Sequence, residues 1–480
     1  MASLIRGAPG ALASASQLAG MLQKGVPRPS IMARANQQGI PMQAVDDELK
    51  KLRGADGGSG GGGEEGTSAD DDSSGAVVSP ERLELFSALC QRSQSTGYDF
   101  PTTDNRLSNL CTTSAMKDAA VRHAEATRPL LPASAAQLCE DFLEMKREHG
   151  SDVEQKVYSE LTLTGFMDRL LTKRPLVFYT SADNYLLKSG QSGADPAGWD
   201  AVGSDAEGRV LCLEDVMSYD ELCISALMAV STPTHFINNG NRGNMGTLDL
   251  WAYGSDPRAQ AKVEPTGVYI GQVGARFERD RRMESLHMLV TAGQNTPAMG
   301  YGSPDAPGFE EDPRLAIWAR FYGLDYLPSY DEAVAVFEAE SNDGKSGEGG
   351  EVMGAGQGPT YAKMSTWTPD GTIQLLNLKV YKRRMYLAAE LFLVEANERA
   401  KAEGTSAFCH VVGLGLGVWQ VHECQGQALV DCYAEVLEAL HLPHVSTLTF
   451  SWFPRRCTQC GGARDGEVLR SSLGGGGGGG

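Results

Sequence analysis

The chain lacks any apolar run approaching the roughly 18 residues needed to cross a bilayer, so no membrane partner is expected. It is also short of positive charge: its 42 Lys and Arg face 61 Asp and Glu, for a net charge of −19. A general nucleic-acid binder needs a basic face to offset phosphates, which excludes that class. A secreted disulfide framework is missing too. The ten cysteines are scattered from Cys90 to Cys460, and Cys223, Cys409 and Cys432 sit inside apolar segments, where a thiol acts as a small hydrophobe. A reducing, intracellular compartment is therefore expected. Cys457-x-x-Cys460 has no second pair, so no zinc ribbon is expected, although His441 and His444 lie upstream. Acidic residues are absent from the first 45 positions, where Arg6, Lys24, Arg28 and Arg34 stand among Ala, Ser, Gly and Leu. That composition suits an organelle transit peptide or an ordinary disordered tail.

What is present is a chain of 480 residues, 41% hydrophobic and 21% charged, ample for a large core. Residues 1–79 read as a disordered or targeting segment, with a Gly-rich acidic stretch around residues 59–72. Residues 80–174 read as a helical cap or packing region, with amphipathic helices over 81–93, 134–148 and 157–173. From residue 175 to 455, strands alternate with helices, which implies an α/β layered sheet with its ligand site at the carboxyl ends of strands. Residues 456–480 form a Gly-rich tail.

The densest signal is Phe408-Cys409-His410-Val411-Val412-Gly413-Leu414-Gly415-Leu416-Gly417-Val418-Trp419. A β-like run ends in three alternate glycines, and a helical stripe follows (Ala428, Leu429, Cys432, Tyr433, Val436, Leu437, Leu440). Strand, glycine loop and helix present backbone N–H groups and a helix N-terminus to a phosphate; a tight turn where backbones pack closely needs the same glycines.

Two more loops follow predicted strands. Thr234-His235-Phe236-Ile237 runs into Asn238-Asn239-Gly240-Asn241-Arg242-Gly243-Asn244. Its amides suit ribose hydroxyls and Arg242 suits a phosphate, while a self-bonded Asx turn is the alternative. The strand over 267–273 ends at Gly274-Ala275-Arg276-Phe277-Glu278, before a predicted helix with Met283, Leu286, His287 and Val290 inward. Glu278 and Glu284 lie six residues apart and do not share a helical face; with a helix starting after Glu278, both reach one cleft. Ser218-x-x-Glu221 has the capping-box pattern. Tyr381-Lys382-Arg383-Arg384 crowds the start of a helix predicted over 380–403, where a bound anion or nearby acids would offset the charge.

These segments resemble a macrodomain, and specifically the MavL-like ADP-ribosylhydrolases. The matching stretches are Ser218 to Glu221, Pro233 to Arg242, Val273 to Glu278 with Met283-Glu284, and His410 to Trp419. Poly(ADP-ribose) glycohydrolases are more distantly similar. Their adjacent glutamates after a glycine run are here the separated Glu278 and Glu284, and the macrodomain glycine run after the asparagines is here Asn241-Arg242-Gly243-Asn244. The resemblance implies a macrodomain-like mixed sheet flanked by helices and cleavage at the anomeric carbon of an ADP-ribose. No cofactor is implied beyond ADP-ribose itself as substrate. The partner would be an ADP-ribosylated protein or an ADP-ribose-containing small molecule. Glu284 would position water or act as acid and base, with Glu278 as partner and Asp249 as a third acidic candidate. Gly413, Gly415 and Gly417, with Val418, Gly274 and Ala275, would hold the diphosphate. Asn238, Asn239, Asn241 and Arg242 would hold ribose and phosphate, and Trp419 would line the wall. A non-catalytic ADP-ribose reader is the alternative. A nicotinamide oxidoreductase would need an acid about 20 residues past the glycine loop; Glu435 or Glu438 stands there, but the loop lies far from a first βαβ unit.

Overall fold

The computed structural model describes residues 47–48, 51, 78–94, 106–179, 183–194, 196–235, 266–342, 359–364, 371–451, 453–464 and 467–468. The chain divides into two compact units. One comprises residues 1–90, 99–121 and 235–266, and the other residues 91–98, 122–234 and 267–480.

In the first unit, α1 (Pro80–Gln94), α2 (Leu107–Leu110) and α3 (Ser114–Glu125) supply a small core of Phe86, Cys111, Ala120 and Val121. Arg82 pairs with Asp118.

The second unit begins with β1 (Arg128–Leu130), α4 (Ala133–His149), α5 (Asp152–Tyr158) and α6 (Leu163–Thr172). The single helix expected over 157–173 is thus two. Thr162 accepts the Gly165 N–H and starts a new helix, as Ser151 does for α5 through a capping box with Glu154. Phe142 stacks on Phe166 at 5.2 Å, and Tyr158 meets both rings edge-on. These side chains belong to the same core as Leu222, Met288, Tyr381 and Leu429, so this helical layer is built into the α/β part.

Next come β2 (Val177–Tyr179), β3 (Asn184–Leu186) and β4 (Ser192–Ala194), an antiparallel meander. After α7 (Pro196–Asp200), Ser218 caps α8 (Tyr219–Ser225). Strand β5 (Ala229–His235) pairs antiparallel with β1 and lies between it and β6 (Thr266–Gly271). The helix expected after Glu278 is reduced to α9 (Ser285–Met288), because Arg281 and Met283 take left-handed backbone at φ 59° and 51°. Strand β7 (Leu289–Val290) follows at once, then α10 (Pro313–Phe321) and α11 (Tyr330–Asn342). Strand β9 (Leu375–Asn377) joins β7 to β8 (Tyr361–Lys363).

Helix α12 (Leu378–Ala402) is capped by Asn377 and runs through the core. Strand β10 (Ala407–Val412), α13 (Gln425–Ala439) and β11 (Val445–Ser451) form a parallel pair, with a register shift between Ala407 and Phe408, and its crossover helix. A short hairpin of β12 (Gln459–Cys460) and β13 (Ala463–Arg464) closes the described chain. The expected alternation is therefore a mixed α/β architecture, but among the described residues the strands sit in several small sheets and not in one layer. Many strands are only two or three residues long, too short to extend a ladder across neighbours. No described helix is long and apolar enough to cross a membrane.

Candidate functional site

The loop after β10 folds on itself. Leu414 N–H donates to Val412 O at 2.7 Å, and Leu416 N–H donates to Gly413 O at 3.1 Å. Gly415 sits at φ 75°, the left-handed region where a side chain is strained. The N–H groups of Gly415, Gly417 and Val418 have no acceptor among the described residues. Nor has the buried indole Nε1 of Trp419, whose ring packs against the core. Val418 is 83% exposed. Helix α13 starts only at Gln425, seven residues after Val418. Its entry is closed by its own side chains, since Gln425 Oε1 accepts from Val421 and His422 N–H and His422 Nδ1 accepts from Cys424 N–H. The donors without an acceptor here are therefore those of the glycine loop, and the helix end contributes less than expected.

The loop after β6 meets this one. A Cβ placed on the buried Gly274 would lie 2.7 Å from both the Cα and the N of Gly415. Gly274 therefore has no room for a side chain, whereas a Cβ on Gly415 would meet the Gly274 Cα at an ordinary 3.4 Å and is disfavoured there by the φ of 75°. Gly417 differs: a Cβ on it would meet nothing within 4 Å.

The carboxylates separate sharply. Glu284 is fully buried. Its Oε2 accepts from the Arg276 N–H at 3.2 Å and Nε at 3.3 Å, and its Oε1 lies 3.8 Å from Arg384 Nε. Glu278 is half-buried, four residues beyond Gly274. Asn238, Asn239, Asn241, Arg242 and Asp249 lie outside the described residues.

Arg384 carried no functional expectation of its own. It is 2% exposed and donates to Ala226 O at 2.6 Å and Val273 O at 2.8 Å. Lys382 from the same basic run pairs with Asp431 at 3.4 Å. The spacing of Val380, Tyr381, Arg384, Met385 and Ala388 places Arg384 on the buried stripe of α12, a signal legible in the sequence.

Beside Glu284, the Cys223 Sγ lies 3.3 Å from His287 Nε2. The pair resembles a nucleophile and its base but is not poised as one. Burial, with Arg384 nearby, lowers the His287 pKa to about 3, and burial raises the Cys223 thiol far above its usual value. Both are neutral. The His287 ring stacks on Trp318 at 4.5 Å.

A cleft of about 760 Å³ opens elsewhere in the second unit, between α4, the Ser218–Asp220 turn and the start of α10. None of the candidate catalytic or ligand-binding residues lines it, although Ser218 to Asp220 do. Three of its arginines and lysines are ion-paired: Lys146 with Glu154 at 2.6 Å and Asp220 at 2.7 Å, Arg282 with Asp200 at 2.8 Å, and Arg314 with Asp312 at 2.7 Å, while Arg281 donates to Gly293 O at 3.0 Å. Among the described residues no three His, Cys, Asp or Glu cluster in a way that could hold a metal.

The family model described as ADP-ribosylhydrolase MavL-like matches residues 87–475. Two Drosophila melanogaster proteins are similar to the chain. One, named ADP-ribosylarginine hydrolase CG2909, is 35% identical over 346 residues, covering 71% of this chain and 61% of the relative. The other, named ADP-ribosylarginine hydrolase CG3568, is 33% identical over 341 residues, covering 68% and 58%. The chain thus spans about three fifths of the length of these relatives.

Proposed function

The chain belongs to the MavL-like ADP-ribosylhydrolase family, and we propose that it removes ADP-ribose from arginine side chains of modified proteins. The arginine linkage comes from the names of the two Drosophila relatives. The observation that carries the reading is the glycine loop pressed on Gly274, with the N–H groups of Gly415, Gly417 and Val418 lacking acceptors among the described residues. Such donors cradle a diphosphate without a lysine. A macrodomain-related sheet is part of the proposal, supported by the parallel β10–α13–β11 unit with its loop at a strand end. Asn238, Asn239, Asn241 and Arg242 are proposed to hold the riboses and phosphate, and Asp249 stays a candidate carboxylate.

Of the two glutamates, Glu278 is assigned the chemistry. Glu284 is spent on buried arginines, and a water there would have to displace an ion pair. Water attacks the anomeric carbon as the C–N bond breaks, and Glu278 stabilises the oxocarbenium-like charge and takes the water's proton. The guanidine leaves with the electron pair of the broken bond and collects that proton, returning as guanidinium.

Calorimetric titration of the full chain with ADP-ribose, beside Gly417→Val, tests the binding site. The variant should fold normally and bind at least tenfold more weakly. A folded wild type that does not bind, or a variant that binds equally well, overturns it. In turnover of an ADP-ribosylarginine peptide, Glu278→Gln should lose at least about 100-fold in kcat, the scale of one general acid or base, while still binding ADP-ribose. Tight binding by a wild type that releases no ADP-ribose from arginine, glutamate or polymer linkages would favour a non-catalytic reader.

A further inference from the structure

The proposed diphosphate cradle has a shape only because Gly274 meets Gly415, and something must hold Gly274 there. The peptide before Gly274 carries the Val273 carbonyl, which accepts from Arg384 Nη2 at 2.8 Å. The same nitrogen binds the Ala226 carbonyl, just past α8, at 2.6 Å. Because the peptide unit is planar, fixing the Val273 carbonyl also fixes the direction of the Gly274 N–H. Arg276 is a second arm: its Nη2 binds Leu222 O at 2.8 Å, while its backbone and Nε hold Glu284. Glu284 lies between the two guanidinium groups, and all three side chains are buried. Helix α12, 25 residues long, and α8 are thereby tied to the Val273–Arg276 backbone.

This network is a poor device for stability alone. Burying charges costs desolvation that apolar packing would avoid, and here Glu284 Oε1 and Arg384 Nε are left without hydrogen bonds. A fork of fixed N–H donors does what apolar packing does not, which is to set carbonyl directions.

We propose that Arg384 is a positioning residue that locks the Val273–Gly274 peptide against Gly415 and so holds the glycine loop in its diphosphate-receiving shape. The purpose of that shape rests on the ADP-ribose reading above; the locking does not. Two measurements on the full chain separate them. In hydrogen exchange without ligand, Arg384→Lys keeps a charge for Glu284 but is one bond shorter and draws its nitrogen back from both carbonyls, and the bonded loop amides of Leu414 and Leu416 should exchange at least tenfold faster while those of α13 keep their protection. Exchange within twofold of wild type at Leu414 and Leu416 overturns the locking, whatever ADP-ribose does. In calorimetry well below the melting temperature, Arg384→Lys should weaken ADP-ribose at least tenfold and leave adenosine, which has no diphosphate, unchanged. Equal weakening of both ligands would mean a general loss of structure and would also overturn the proposal. Should Arg384→Lys fail to fold, Arg276→Lys, which loosens the other arm, is read by the same exchange criterion.

Discussion

His287 is 4% exposed, with its Nδ1 unpartnered and its ring against Trp318 and Tyr322. Its folded pKa of about 3 is well below the ordinary 6.5. A lowered folded pKa means that the unfolded chain binds the proton first as pH falls. The neutral imidazole thus contributes full stability above pH 6.5, and that contribution is lost progressively as pH drops from 6.5 toward 3. The slope approaches about 1.4 kcal/mol per pH unit. Urea unfolding at pH 7.5 and 4.5 should show this loss, and His287→Phe should remove that part of the slope. Identical slopes in variant and wild type would contradict it. At this scale the tight glycine loop after β10 was legible in the sequence, whereas the Asn loop lies outside the described residues. That Glu284 faces two arginines was not legible, since Arg384 is 100 positions away.

Helix α8 shows the same division one level up. Ser218 Oγ accepts the Glu221 N–H and Glu221 Oε2 accepts the Ser218 N–H, at 3.3 and 2.9 Å, which realises the capping box. Glu221 is fully buried because Arg169 of α6 binds it from 52 residues upstream, at 2.6 Å through Nε. The two links differ in energy. Ser218→Ala should cost about 1 kcal/mol, the usual cap value. Glu221→Ala should cost about 3–5 kcal/mol, because it leaves Arg169 as an uncompensated buried charge. Chemical denaturation of both variants checks the order, and a Ser218 variant costing as much as the Glu221 variant would reverse it. The capping box was readable because its signal lies within four residues. The shortened α9 was not: Met283, Leu286, His287 and Val290 fit a helical stripe, but the left-handed backbone at Arg281 and Met283 breaks it.

In the second unit the main core runs from Ala135 to Val436, with a separate smaller cluster of Val290, Ala333, Tyr361 and Leu375. The helices of residues 133–172 fill it with Phe142, Tyr158, Phe166 and Leu170, each almost fully buried. A fragment restricted to residues 175–455 should therefore fail to fold cooperatively, while the full chain shows a cooperative melt. Circular dichroism and calorimetry decide this, and a sharply melting fragment would show that the helical layer is dispensable. Composition, charge and the strand–glycine–helix order already argued against a membrane-spanning or nucleic-acid-binding reading and led to the expectation of a strand-end phosphate site, because these depend on residue type and local spacing. Only the tertiary structure decided that Gly274 touches Gly415, that Glu284 is an anchor between Arg276 and Arg384, and that the strands divide among small sheets. Each of those depends on which distant backbones come to share the same few ångströms, and local spacing carries no information about that.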